Sequence, residues 1–215
     1  SGGSLQGSYL AGVYYPDKTK VGWWKNGYPE YFAKVLNSTN WIGIDVKVDG
    51  EPLDLAKAQS VDQFVWGLNM KEGIVKRSFS CTMQNGATIQ VVAERFCSMH
   101  NPELGCLRYR VEAGGHLVEV MPYLDAGVTN ADSNWNDAFW SIHEVTHQGP
   151  GKACVRAETN KTHFGAAFAM NALVHVTDSL GQRELAQTHL DSDASRVGIG
   201  FQAQLSSGES LTLEK

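Results

Sequence analysis

The sequence predicts an all-β protein, a large antiparallel β-sandwich with little helix. Three observations lead there. Ile42, Ile44, Val46 and Val48 alternate with Gly43, Asp45 and Lys47, the period-two pattern of a strand with one buried face. Asn85-Gly86 separates two β-rich runs, 74–83 and 88–96, and Asn-Gly in that setting is the strongest short hairpin signal, because both central residues of the tightest turn take positive φ. No stretch sustains a helical period, while turn residues recur at close spacing.

Taken in order, 9–15 reads as a strand of aromatic and β-branched residues, closed by the Pro16-Asp17 turn. Pro29 can open a short helix through Leu36, with Phe32, Val35 and Leu36 on one face. The alternating strand 41–48 ends in Asp49-Gly50, a tight hairpin turn. Further strands are expected at 106–112, 117–124, 139–148, 152–159, 163–176, 197–205 and 210–213, with Ser206-Ser207-Gly208 as the turn before the last. No internal repeat or linker divides the chain, so residues 1–215 count as one domain.

With 215 residues, 42% of them hydrophobic, the chain can bury a sizeable core without disulfide or metal. A net charge of −5 and the absence of a long basic run speak against nucleic-acid binding. No apolar segment reaches membrane-spanning length. Cys81, Cys97, Cys106 and Cys154 form no Cys-x-x-Cys pair and read as buried thiols of a reducing, cytoplasmic compartment. Asn37-Ser38-Thr39 and Asn160-Lys161-Thr162 match the glycosylation pattern, which is common by chance. The chain opens on Ser1-Gly2-Gly3-Ser4 without an initiating Met and stops at Glu214-Lys215 straight after an expected strand, as an excised piece of a longer protein would.

Candidate chemistry is thin. Asp125, Asp132, Asp137 and Glu144 could supply the facing carboxylates of glycosidic-bond cleavage, but three of them fall in a loop where solvated carboxylates are routine. His143 and His147 are four apart on an expected strand, which gives them one face but not the helical spacing of a zinc protease; His100, His116, His163, His175 and His189 are scattered. No catalytic residue and no metal ligand is therefore assigned, and no cofactor is expected. The better candidates are aromatic. Trp23, Trp24, Tyr28, Tyr31 and Phe32 crowd a stretch broken by Gly22, Gly27 and Pro29, and Asn134 and Trp135 stand in the polar loop 124–140. Such rings either fold inward onto their own domain or face a neighbouring domain, a partner subunit or a sugar.

Three segments carry a resemblance. They are Ala11-Gly12-Val13-Tyr14-Tyr15-Pro16-Asp17-Lys18-Thr19-Lys20-Val21-Gly22-Trp23-Trp24-Lys25-Asn26-Gly27-Tyr28-Pro29-Glu30-Tyr31-Phe32; the strand-and-turn region 37–55; and the loop 128–140 ending in Phe139-Trp140. Together they resemble the N-terminal domain of glycoside hydrolase family 65, on its maltose phosphorylase and kojibiose phosphorylase side. The resemblance implies a super-sandwich like that of galactose mutarotase, followed in the family by an (α/α)6 barrel that holds the general acid and the phosphate site. It implies a parent enzyme of carbohydrate metabolism that cleaves α-glucosides such as maltose with phosphate, or in a few cases water. This domain would be non-catalytic, packing on the barrel of the same polypeptide and shaping the active-site rim or a homodimer contact. Inorganic phosphate would be the parent's co-substrate and a disaccharide its substrate. The rival expectation is a free-standing carbohydrate-binding or mutarotase-like protein, which would need an acid and base pair, His with Glu, converging on one sheet face.

Overall fold

The computed structural model describes residues 7–20, 22–131, 133 and 137–215. It is 60% strand and 2% helix, an all-β antiparallel sandwich architecture as the alternation predicts. The strands in chain order are β1 (Tyr9–Lys18), β2 (Tyr31–Asn37), β3 (Ile44–Val48), β4 (Glu51–Pro52), β5 (Ser60–Asn69), β6 (Ile74–Thr82), β7 (Thr88–Cys97), β8 (Gly105–Glu112), β9 (Leu117–Asp125), β10 (Trp140–Gly149), β11 (Lys152–Thr159), β12 (Gly165–Asn171), β13 (Leu173–Thr177), β14 (Gln182–Glu184), β15 (His189–Ser192), β16 (Arg196–Gln204) and β17 (Ser210–Glu214). The chain divides into two compact units: 1–43, 123–170 and 191–198 form one, and 44–122, 171–190 and 199–215 the other.

The first unit holds the β1–β2 hairpin and the three-stranded sheet β10-β11-β12. A small core gathers Tyr15, Leu36 and Phe139, with Trp140 packed beside it. Tyr15 meets Phe139 edge to face at 4.7 Å, a favoured aromatic geometry.

The second unit is built on a seven-stranded sheet of order β14-β13-β17-β8-β7-β6-β5. Its buried face carries Phe79, Ile89, Val91, Tyr109, Val111, Leu211 and Leu213. A further sheet, of five strands, has the order β15-β16-β9-β3-β4. Along β9, Val118, Val120, Pro122 and Leu124 are buried while the residues between them are half-exposed. The Asp49-Gly50 turn takes φ of 51° and 79°, positive at both central positions as a two-residue hairpin demands.

Several expectations need correction. Residues 29–36 are not helical: Tyr31–Asn37 is strand β2, because its backbone is taken up by the ladder to β1, with Tyr15 opposite Lys34 and Asp17 opposite Phe32. At the Asn85-Gly86 hairpin only Gly86, at φ 87°, is left-handed. The Gly86 N–H donates to the Met83 carbonyl at 3.0 Å and the Met83 N–H to that of Ala87 at 2.9 Å, so the loop is longer than two residues and one left-handed position closes it. The expected strand 163–176 is two strands, β12 and β13. Strands β4, β5, β14 and β15 have no counterpart among the expected strands. Of the four free thiols only Cys81 is buried, and Cys97 is exposed.

Candidate functional site

The aromatic stretch is the far end of the β1–β2 hairpin. Thr19 holds it shut: its N–H donates to the Glu30 carbonyl at 2.8 Å, and its hydroxyl donates to the Pro29 carbonyl. Below this clasp Lys34 and Asp17 form a buried ion pair at 2.8 Å. Inside the loop, Trp23–Asn26 make one 3-10 turn between Gly22 at φ 87° and Gly27 at φ 90°. Both flanking residues occupy the left-handed region that glycine enters without steric penalty.

That turn lifts the rings outward. Trp23, Tyr28, Tyr31 and Phe32 are exposed by 50%, 55%, 48% and 41%, and Trp24 is half-buried. Trp23 and Tyr28 tilt together at 6.1 Å between centroids. Lys20 lies over Trp23 and Lys18 over Trp24, each ammonium 5.7 Å from its ring, a favourable cation–π distance. Tyr31 and Phe32, being consecutive in a strand, point to opposite faces of the hairpin. The candidates therefore divide: Trp23, Trp24 and Tyr28 form a tip, and Tyr31 and Phe32 flank it on either side.

Asn134 and Trp135, with Asp132, lie outside the described residues. The start of their loop is described, and Asn37 and Asn130 anchor it. The Asn37 N–H donates to Asn130 Oδ1 at 2.9 Å, Asn130 Nδ2 to the Val35 carbonyl at 3.0 Å, and Asn37 Nδ2 to the Thr129 carbonyl at 3.1 Å. At the loop's far end Trp140 Nε1 donates to the Asn37 carbonyl at 2.8 Å. Asn37 is thus a buried structural residue whose amide is already engaged, so its glycosylation pattern is not presented by the folded chain.

Some of the scattered carboxylates and histidines have local partners. Asp125 accepts the Gly127 N–H at 2.8 Å, Glu144 pairs with Arg156 at 3.1 Å, and Asp137 stands exposed. A bulge between Ile142 and Glu144 interrupts the alternation linking His143 to His147. Two histidines do meet carboxylates, His116 with Asp49 at 2.6 Å and His163 with Glu158 of β11 at 2.7 Å. The hydrogen bond from His116 and the Leu117 N–H pull the Asp49 carboxyl below its ordinary value. Among the described residues no group of three His, Cys, Asp or Glu converges as a metal site. No helix among them is long and apolar enough to cross a membrane.

The family model for the N-terminal domain of glycosyl hydrolase family 65 matches residues 1–215. The chain belongs to glycosyl hydrolase family 65. The family's N-terminal domain is what these sheets and the aromatic hairpin represent. A maltose phosphorylase from Bacillus subtilis is 49% identical over 167 residues, 77% of this chain and 22% of that protein. A kojibiose phosphorylase from Thermoanaerobacter brockii is 28% identical over 137 residues, 62% of this chain and 16% of that protein. A solved structure assigned as a kojibiose phosphorylase, from the human microbiome, superposes over 100% of this chain and 27% of its own with a TM-score of 0.78 at 20% identity, which shows a shared fold. The chain thus spans well under a third of the length of the relatives it matches.

Sequence reasoning overlooked one surface. Strand β5 is exposed along its whole length and carries Phe64, Trp66 and Leu68. The signal was available in the run Phe64-Val65-Trp66, but Asp62-Gln63 and Gly67 break its period.

Proposed function

We propose that this chain acts as the non-catalytic N-terminal β-sandwich domain of an α-glucoside phosphorylase of the maltose type. The observation that carries the reading is the 49% identity to a maltose phosphorylase over 77% of the chain. The domain works as one functional unit, a reading supported by the single family model across residues 1–215. Its task is to pack on the catalytic part of the enzyme and to shape the active-site rim or a homodimer contact through the hairpin tip of Trp23, Trp24 and Tyr28 with Tyr31 and Phe32, and Asn134 and Trp135 are further candidates for the same role. The chemistry belongs to the rest of the enzyme, where inorganic phosphate is co-substrate, a disaccharide is substrate and no metal or organic cofactor takes part. The enzyme works in the cytoplasm.

The exposed tip supports this role physically. Burying a large side chain stabilises by roughly 1.5–3 kcal/mol, so rings held out by a clasped hairpin favour a covering surface. The test joins this chain to the catalytic region of the Bacillus subtilis maltose phosphorylase in place of that protein's own N-terminal region. Phosphate-dependent release of glucose from maltose is expected from the joined protein and not from the 215-residue chain alone. Trp23→Ser with Tyr28→Ser should weaken activity in the joined protein while the isolated domain stays folded. Turnover of maltose, or accelerated sugar anomerisation, by the isolated chain would overturn the reading in favour of a mutarotase-like protein.

A further inference from the structure

The two faces of the seven-stranded sheet treat their charges differently. On the outer face the cations are paired: Lys76 with Glu94 at 3.0 Å, Arg108 with Glu214 at 2.7 Å, and Arg110 with Glu112 at 2.8 Å. The inner face is the buried one over most of its width. Directly paired residues share a face, so register extends that face outward to the sheet edge. One row runs Leu213, Tyr109, Ala93, Arg77, Trp66, and the next runs Leu107, Arg95, Val75, Leu68. Phe64 joins them past a bulge, its ring stacked 6.2 Å from that of buried Phe79.

The face changes character along these rows. Tyr109 and Leu213 are buried, yet Phe64, Trp66 and Leu68 are exposed by 52%, 67% and 57%, and Val61 by 39%. Among the described residues neither Arg77 nor Arg95 has a carboxylate partner. Arg77 lies over the Phe79 ring, its guanidinium carbon 5.8 Å from the centroid. No Asp or Glu stands in these inner rows.

We infer that the inner face of β5–β7, formed by Val61, Phe64, Trp66, Leu68, Arg77 and Arg95, is a docking surface for a segment of the catalytic part of the same enzyme that presents apolar side chains flanked by Asp or Glu. This rests on the reading that the chain is the N-terminal domain of a longer phosphorylase, and it adds a second contact made by residues other than those of the aromatic hairpin tip. Charge complementarity sets the occupant's chemistry. Covering two guanidinium groups without supplying carboxylates would strand them, whereas a carboxylate offers Arg a bidentate partner. The same charges argue against a second copy: a two-fold interface sets a patch against itself and would bring the unpaired arginines of both chains together. An anionic membrane is disfavoured by the net charge of −5.

The experiment compares hydrogen exchange of the isolated 215-residue chain with that of the chain joined to the Bacillus subtilis catalytic region. Residues 60–69 should exchange at least tenfold more slowly in the joined protein. Arg77→Glu with Arg95→Glu should abolish most of that protection, and Arg77→Lys with Arg95→Lys should retain most of it. Equal exchange of 60–69 in both proteins, with protection of residues 22–32, would overturn this inference and leave the proposed function standing. Protection of neither segment would sink both. Two further outcomes would also overturn it. One is slowing of 60–69 in the isolated chain with rising protein concentration, which would make the occupant a second copy. The other is slowing on adding phosphatidylserine vesicles, which would make it a membrane. If the joined protein does not fold, the catalytic region is supplied as a separate chain: sedimentation of a complex that the Arg→Glu pair dissociates and the Arg→Lys pair keeps supports the inference, and a complex indifferent to both pairs overturns it.

Discussion

The phenol ring of Tyr123 lies across Gly43, so close that a methyl group on Gly43 would stand 2.1 Å from Cζ of Tyr123. Arg196 lies near the same ring, its guanidinium carbon 4.0 Å from the ring centroid. Tyr123 is therefore confined, and Gly43 is required for space. Gly43→Ala should destabilise by about 1–3 kcal/mol or more, since overpacking forces backbone or rotamer shifts. Gly165→Ala, where a methyl group meets open space, should change stability by under about 1 kcal/mol. Urea unfolding midpoints of the two variants check this, and equal effects would contradict it.

Asn130 is buried and serves two backbone groups of the hairpin's return strand, the Asn37 N–H and the Val35 carbonyl. Asn130→Ala strips both partners at once. Leaving buried polar groups unsatisfied costs about 1–3 kcal/mol each, so a loss of at least that order is expected in urea unfolding. Hydrogen exchange at the Asn37 amide should quicken as well. An unchanged amide would mean the loop is held by other contacts.

Asp49 bridges two turns, accepting from His116 and from the Leu117 N–H. Its folded carboxyl titrates below the ordinary 3.8. The sign follows: the bridge contributes fully above the unfolded value and fades as pH falls through the folded one. Asn suits the left-handed backbone at this position but has no charge to lose. In a thermal-midpoint profile the gap between the native chain and Asp49→Asn should narrow as pH drops below 3.8. A gap constant from neutral pH to pH 2 would contradict the bridge.

Tyr109 works at the opposite end of the scale. Burial pushes its hydroxyl from 10 up to about 12. The folded state therefore favours the protonated phenol, and stability is intact below the unfolded value and lost as pH rises between the two. A shift of that size corresponds to roughly 2–3 kcal/mol. Tyr109→Phe should remove this alkaline loss, measured as urea stability at pH 9 against pH 11.5. An identical alkaline loss in the variant would assign it elsewhere.

Sequence by itself determined the all-β class, because period-two alternation at 42–48 cannot suit a helix face, and the Asp49-Gly50 turn, because a two-residue hairpin needs positive φ that Asp and Gly tolerate. It marked the aromatic stretch after Gly22 as one that Gly27 and Pro29 interrupt, and the structure has a single 3-10 turn there before β2 begins at Tyr31. Tertiary structure decided what nearest neighbours could not. Residues 31–37 carry Phe32, Val35 and Leu36 at helical spacing, yet they form β2 because β1 pairs with them and Asp17 meets Lys34 across the ladder. Strand β5 lacks a readable period because a bulge intervenes between Asp62 and Val65, and its pairing to β6 supplies the order instead. The uncovered inner face has the same origin. Whether Arg77 or Lys76 finds a carboxylate depends on which side of the sheet each faces, and long-range register sets Glu94 opposite Lys76 and not Arg77.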